Sequence, residues 1–600
     1  MSTTTTNGTD EGNYNAGTLV LVNSKLTYSA PVVNTGVMQL DLSSSITAPT
    51  LTGTGKIVVD ASNFNGTSVK LLNLDEATDM QIEIINNTDA KIEITADGVY
   101  VVACNYVAQI GEKKFESVAE AVEYAKTEGI TDLVITLIGE TTAATTDSFD
   151  LVYTTVFDSV TIKQADATKT YYLLDLYTGA RTNGGKLVFD GVNLTVTEQY
   201  MFEGNVELIN NSKITSTAEA NCFVYYANVT VQPGSKLKGI IDDIRGGTLI
   251  VDGGRTDGQY NTEADLRDAI LVVKWADSEL VLKNGAYALM NSANEVGRIT
   301  INGTVTVENA KLETVEYIEV NKSLKTDLGS LIVTKKITGA GTITIDASAF
   351  TGETQVIKAD MSGFTGTVEV TGNDMLTYEV KADGLYVVEK ALFQNTTTGA
   401  TYTDLQTAIN EAAAGETIQV LENVELTDTV TVAAGKTVTL DLNGKTISQT
   451  KECTASYEMI ANNGSLTIKD SATGGKISFT DTSAGDAAAK WGVYTIRNSG
   501  TLVVESGTIE NLSAQNQAGQ PFAHTTLAIF QYSGSTTING GVISTPNYRS
   551  VRLWSGDLTI NGGVLDGQVW VQCVNDTAKL TITGGEFSPN GNDGAMPKKE

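Results

Sequence analysis

The chain has 600 residues, 41% of them hydrophobic and only 18% charged, with a formal net charge of −31. That acidity argues against nucleic acid or an anionic membrane as partner, because both require a basic face. With 57 Gly, 7 Pro and abundant Thr, Asn, Ser, Val and Ile, the composition is that of a β-rich chain with many turns.

The first residues, MSTTTTNGTDEGNYNAG, are polar and carry neither the basic nor the apolar region of a secretory signal. No run of about 18 apolar residues follows anywhere, so no membrane-spanning helix is expected. Thr52–Gly66 (TGTGKIVVDASNFNG) recurs as Thr338–Gly352 (TGAGTITIDASAFTG), 286 residues later (338 − 52), and Ala96–Val102 (ADGVYVV) recurs as Ala382–Val388 (ADGLYVV) at the same offset. Two matches at one offset mean a duplicated module, and internal repeats imply a stacked architecture.

Ser117–Gly129 (SVAEAVEYAKTEG) breaks the β pattern. It sets Val118, Ala121, Val122 and Ala125 on one helical face. Thr403–Gly415 (TDLQTAINEAAAG) does the same with Leu405, Ala408, Ile409 and Ala412. Capping boxes are expected at Ser117 with Glu120 and at Thr403 with Gln406. Each helix is expected to act as a lid on the first rung of a solenoid, whose exposed edge would otherwise invite aggregation. Strands are expected after them, at 133–138 and 417–421.

Between the helices, segments starting at 187, 206, 229, 249, 280 and 299 alternate apolar and polar residues at a spacing of 19 to 31. In the last third, Leu466, Leu502, Thr536, Leu558 and Leu580 open similar strands, and the final two intervals are both 22 (558 − 536 and 580 − 558). Ile509, Ile543, Leu565 and Phe587 follow after Gly-containing turns. Three short strands per turn of about 22 residues fit an all-β, right-handed, single-stranded parallel β-helix of two to three tandem modules, with short N-terminal capping helices. The expected modules are the C-terminal part of one at 1–105, a complete one at 106–389 with its cap helix at 117–128, and one at 390–600 with its cap at 403–414, lacking its closing segment. This arrangement implies a piece of a longer exported protein.

The string YTDLQTAINEAAAGETIQVLENVEL (402–426), with KTVTLDLNGKTIS (436–448) and LTITGGEF (580–587), resembles the β-helix modules of large bacterial surface and secreted proteins within the pectate-lyase-like superfamily. The resemblance implies a non-catalytic stalk or adhesin module, extracellular or on the cell surface, monomeric, with glycans or host surface proteins as partners. The same fold also serves polysaccharide lyases and hydrolases, and phage tail fibres located in the virion.

Chemistry is sparse. Polygalacturonase-type relatives use a GHG motif and clustered Asp, whereas this chain has one histidine, His524, in PFAHTT. Asp242 and Asp243 are adjacent, so on a strand they point to opposite faces, while glycoside hydrolysis needs two facing carboxylates. Arg255 and Asp257 in a Gly-rich turn are the nearest approach to a lyase pair. The four cysteines, Cys104, Cys222, Cys453 and Cys573, lack metal or disulfide spacing and are expected to be small buried residues. No catalytic residue, metal ligand or cofactor is assigned; an acidic surface could hold Ca²⁺ loosely, but no EF-hand-type loop is present. One binding signal remains. Tyr532 and Trp554 each lie four residues before a strand opener, and Trp570 sits in VWVQ. They form either an outward aromatic platform for sugar rings or an inward core stack.

Overall fold

The computed structural model is a parallel β-solenoid of about 21 turns. It describes residues 13–142, 147–150, 157–177, 185–216, 221–238, 243–253, 255–259, 269–291, 297–483, 492–514, 525–546, 549–567, 569–571, 577–588 and 598–599. The side chains of some strand residues, Trp570 among them, lie outside this description. The chain divides into two compact units, Met1–Asp374 with Tyr378–Val387, and Met375–Thr377 with Val388–Glu600. Two helices, α1 (Val118–Thr127) and α2 (Leu405–Glu411), are present among the described residues, and neither is long and apolar enough to cross a membrane.

In the second unit each turn contributes one strand to each of three parallel sheets. The expected columns form in register. Leu466 pairs with Leu502, Leu502 with Thr536, Thr536 with Leu558, and Leu558 with Leu580. Ile509, Ile543, Leu565 and Phe587 form a second column. Apolar residues at every other position point into the coil, so Leu502, Leu558, Ile509, Ile543 and Leu565 are fully buried. Each such burial contributes roughly 1.5–3 kcal/mol.

In the first unit Leu187, Val206, Val229, Leu249 and Leu280 stack in register as expected. The segment at 299 does not join them. Ile299 pairs with Leu271, and Val305 is the residue that continues the column from Leu280. The local alternation of 299–308 belongs to two strands, Gly297–Ile301 and Thr304–Glu308, that stack on different partners, Ala269–Val273 and Ser278–Lys283.

The duplicated ADGxYVV segment closes each stack by turning antiparallel: Gly98–Ala103 runs against Val69–Leu74, and Gly384–Glu389 against Thr354–Phe364. Gly98 and Gly384 have φ of 146° and 150°. A Cβ at either would stand 1.9 Å from a backbone carbonyl oxygen, that of Leu72 or Ile357, so only glycine fits. In the first copy the Lys70 ammonium, then the Thr95 and Tyr100 hydroxyls, hold the exposed Asp97 carboxyl well below the usual carboxylate range.

The helices bury the expected faces: Val118, Ala121, Val122 and Ala125 in α1, and Leu405, Ala408 and Ile409 in α2. Val118 lines an apolar cavity with Leu137, Ile162, Leu173 and Phe189, placing α1 over the coil interior. Ser117 caps α1, accepting from the Glu120 N–H at 3.1 Å, but the Glu120 carboxylate reaches the N–H of Glu116. The second cap is a correction. Asp404, rather than Thr403, caps α2 through the Thr407 N–H at 2.7 Å. Gln406 is thereby free to pair with the backbone of Thr431, accepting at 2.6 Å and donating at 2.9 Å. A carboxamide so placed supplies the hydrogen bonds of a preceding rung at the edge of strand Val430–Val432.

Candidate functional site

The outward face of the third sheet of the second unit gathers the unit's three arginines, Arg497, Arg549 and Arg552. They lie on strands Gly492–Asn498 and Arg549–Leu553, which flank Thr525–Gln531. Backbone register sets Arg497 beside Phe530, Phe530 beside Arg552, and Arg552 beside Trp570. The result is a column alternating guanidinium and aromatic positions at one-rung spacing, about 4.8 Å.

An outer apolar cluster supports this column. Tyr494, Leu527 and Phe530 are buried together with Trp554 packed against them, apart from the coil interior. Ala528 and Ile529, between Leu527 and Phe530 in sequence, both belong to the inner core. The pairing ladder skips Thr495 and Ala528, so strict alternation is lost and two neighbours turn inward together. That irregularity gives the outer face its second aromatic layer.

Tyr532 and Trp554 occupy equivalent positions on successive rungs, one residue past the Gln531–Leu553 pair. Their rings do not simply stack on one another. The Arg497 guanidinium lies 4.3 Å from the centroid of Tyr532, and that of Arg552 lies 4.8 Å from Trp554 and 5.3 Å from Phe530. Phe530 meets Tyr532 edge-on at 5.7 Å and Tyr494 at 4.7 Å. Tyr532 is 42% exposed. Each cation–π contact contributes about 0.5–1 kcal/mol at such sites, and together they hold the rings in fixed orientations. The face can therefore stack planar or apolar ligand surfaces and donate charge-assisted hydrogen bonds.

Other residues singled out from sequence lie elsewhere. His524 and Asp242 are outside the described residues, as are the side chains of Asp243, Arg255, Asp257 and Trp570. Cys453 is buried, but Cys104, which immediately follows the closing strand Gly98–Ala103, is only half-buried, its thiol directed to the Thr88 carbonyl at 3.8 Å. The side chains of Cys222 and Cys573 are outside the described residues. Among the described residues no three His, Cys, Asp or Glu side chains converge as a metal site would require. Arg497, Arg552 and Phe530 were not marked by sequence reasoning, because their separations of 33 and 22 residues become adjacency only when rungs of unequal length stack. Comparison of the chain with protein-family models, with curated proteins and with solved structures yields no match.

Proposed function

We propose that the chain is a non-catalytic solenoid of the bacterial surface or secreted kind, monomeric and extracellular, that binds glycans through the arginine–aromatic face of its second unit. The alternation of Arg497, Phe530, Arg552 and Trp570 along one sheet, with Tyr532 exposed beside it, carries this reading. Rings dock the apolar faces of sugars, and guanidinium groups hold hydroxyl or acidic substituents. A rigid solenoid favours such binding because the rungs fix the spacing of the contacts, so little ordering entropy is lost on association.

The test is retention of the full chain on a panel of immobilised oligosaccharides and acidic polysaccharides. Replacing Arg497 and Tyr532 together by alanine should weaken retention by roughly tenfold or more, the loss of about 1.4 kcal/mol. Unchanged retention would refute the assignment of this face. Release of reducing ends or unsaturated uronates from the same polysaccharides would replace the reading with an enzymatic one. A stable trimer in sedimentation would favour a fibre of the virion type.

A further inference from the structure

Eight non-glycine residues among the described ones have positive φ, and seven are asparagines. The eighth is Tyr226, with φ of 48°. Asparagine visits this region because its side chain supports it; a bulky aromatic residue there is a strained conformational outlier. The next rung makes the same bend with Gly246 and Gly247, at φ of 69° and 80°, and the register sets Tyr225 beside Arg245 and Ala227 beside Gly247. Glycine is thus the unstrained solution at this corner, and the chain uses tyrosine instead.

The tyrosine is not hidden. Tyr226 is 54% exposed. Its ring lies over Gly246, where a Cβ would meet it at 2.8 Å. The following rung has a longer corner, Lys274–Asp277, between the pairs Ile244–Val273 and Gly247–Ser278, and this corner carries Trp275 across to the two tyrosines. Tyr225 and Tyr226 meet at 4.7 Å and 68°, Tyr226 and Trp275 at 5.4 Å and 52°, and Tyr225 and Trp275 at 6.1 Å. Both sides of the corner are pinned. The buried Ser278 hydroxyl accepts from the N–H groups of Gly246 (2.8 Å) and Trp275 (3.2 Å), and the Lys322 ammonium donates to the Ala276 carbonyl.

We infer that Tyr225, Tyr226 and Trp275 form a second carbohydrate site, on the first unit, in which a pyranose ring stacks on the exposed face of Tyr226. A strained, immobilised and exposed ring is a preorganised surface for a rigid ligand. Asp277, exposed on the same corner, supplies an acceptor of the kind a polyhydroxylated ligand requires. Three rings cover far less area than the roughly 1,200 Å² of a stable protein interface, which favours a sugar over a protein partner. The site stands independently of the face on the second unit.

The experiment uses the full chain carrying R497A and Y532A, which disables the other face, on the same oligosaccharide panel. This background chain should retain at least one oligosaccharide, and adding Tyr226→Gly or Trp275→Ala should weaken that retention roughly tenfold or more. Tyr226→Gly places glycine where the backbone favours it, so its melting temperature should equal or exceed that of the background chain. Three results would overturn the inference: no oligosaccharide retained by the background chain, retention unaffected by Tyr226→Gly, or a melting temperature clearly lowered by that change, which would assign the ring to folding. None of these bears on the second-unit face, whose own variants are compared with the unmodified chain.

Discussion

The Asn498 side-chain amide donates to the Gln531 carboxamide oxygen at 2.7 Å, with both residues wholly buried inside the coil. Asn462 donates to Asn498 from the rung before, also at 2.7 Å, and Thr536 lies 3.0 Å from the Asn498 amide. Equivalent positions on three rungs thus form one polar column in an apolar interior, each group satisfied by its neighbours. Such a column is stable only when complete, because an orphaned buried polar group costs about 1–3 kcal/mol. Asn498→Leu should therefore destabilise the second unit by more than the loss of one hydrogen bond, about 3 kcal/mol. Hydrogen exchange should accelerate in all three strands, 457–462, 492–498 and 525–531; acceleration limited to 492–498 would show that the rungs are not coupled through this column.

The two candidate caps of α2 differ in consequence. Asp404→Ala removes the acceptor for the Thr407 N–H and should cost about 1 kcal/mol. Thr403→Ala should change stability by less than about 0.5 kcal/mol. Amide exchange of residues 405–411 reads both, and equal effects would return the cap to Thr403.

Asp441 is 2% exposed. Burial alone would raise its pKa, but hydrogen bonds from the Ser471 N–H (2.9 Å) and Asn443 N–H (3.1 Å), and the Lys469 ammonium at 3.5 Å, hold it below the ordinary carboxylate value. The unfolded chain therefore binds the proton more tightly than the folded one. The stabilisation is complete above the unfolded pKa, about 3.9, and is lost as pH falls through the lower folded value. Asp441→Asn should destabilise the second unit at pH 7, and the difference should shrink in acid. A difference constant with pH, followed by denaturant melts, would show that the carboxylate charge contributes nothing.

The ADG turns make a controlled comparison among glycines. Gly98→Ala and Gly384→Ala each place a methyl group on a carbonyl oxygen, whereas Gly111, with φ of 58°, has no heavy atom within 4 Å of its Cβ position. Gly111→Ala should cost only the left-handed backbone preference, about 1–2 kcal/mol. The other two should cost clearly more and open the closing strands to exchange. Equal melting temperatures for the three variants would remove the steric argument.

Several features were legible before any coordinates. The columns at Leu466–Leu580 and Ile509–Phe587 follow from alternation, glycine corners and the repeated final interval of 22, and the buried faces of both helices follow from their helical periodicity. The misplaced cap at Thr403 shows the limit of a motif in which Asp404 offers an equally good acceptor one residue on. The segment at 299 shows another, since a strand pattern says nothing of which strand of the neighbouring rung it stacks on. Arg497 lies over the Tyr532 ring because the register sets it beside Phe530 on the adjacent rung, although Arg497 and Tyr532 are 35 residues apart in sequence (532 − 497).

The sequence by itself determined that this chain coils in parallel rungs with its aliphatic residues inward, since short strands with period-two alternation, repeated between glycine corners, leave few other ways to bury them. Only the tertiary structure decided which outward residues become neighbours. Rungs differ in length because corners absorb insertions, as at Lys274–Asp277, and a local break such as that at Ala528 reverses which side chains face out. Adjacency across rungs is therefore a property of the stacked hydrogen-bond register, which no fixed spacing in the sequence encodes.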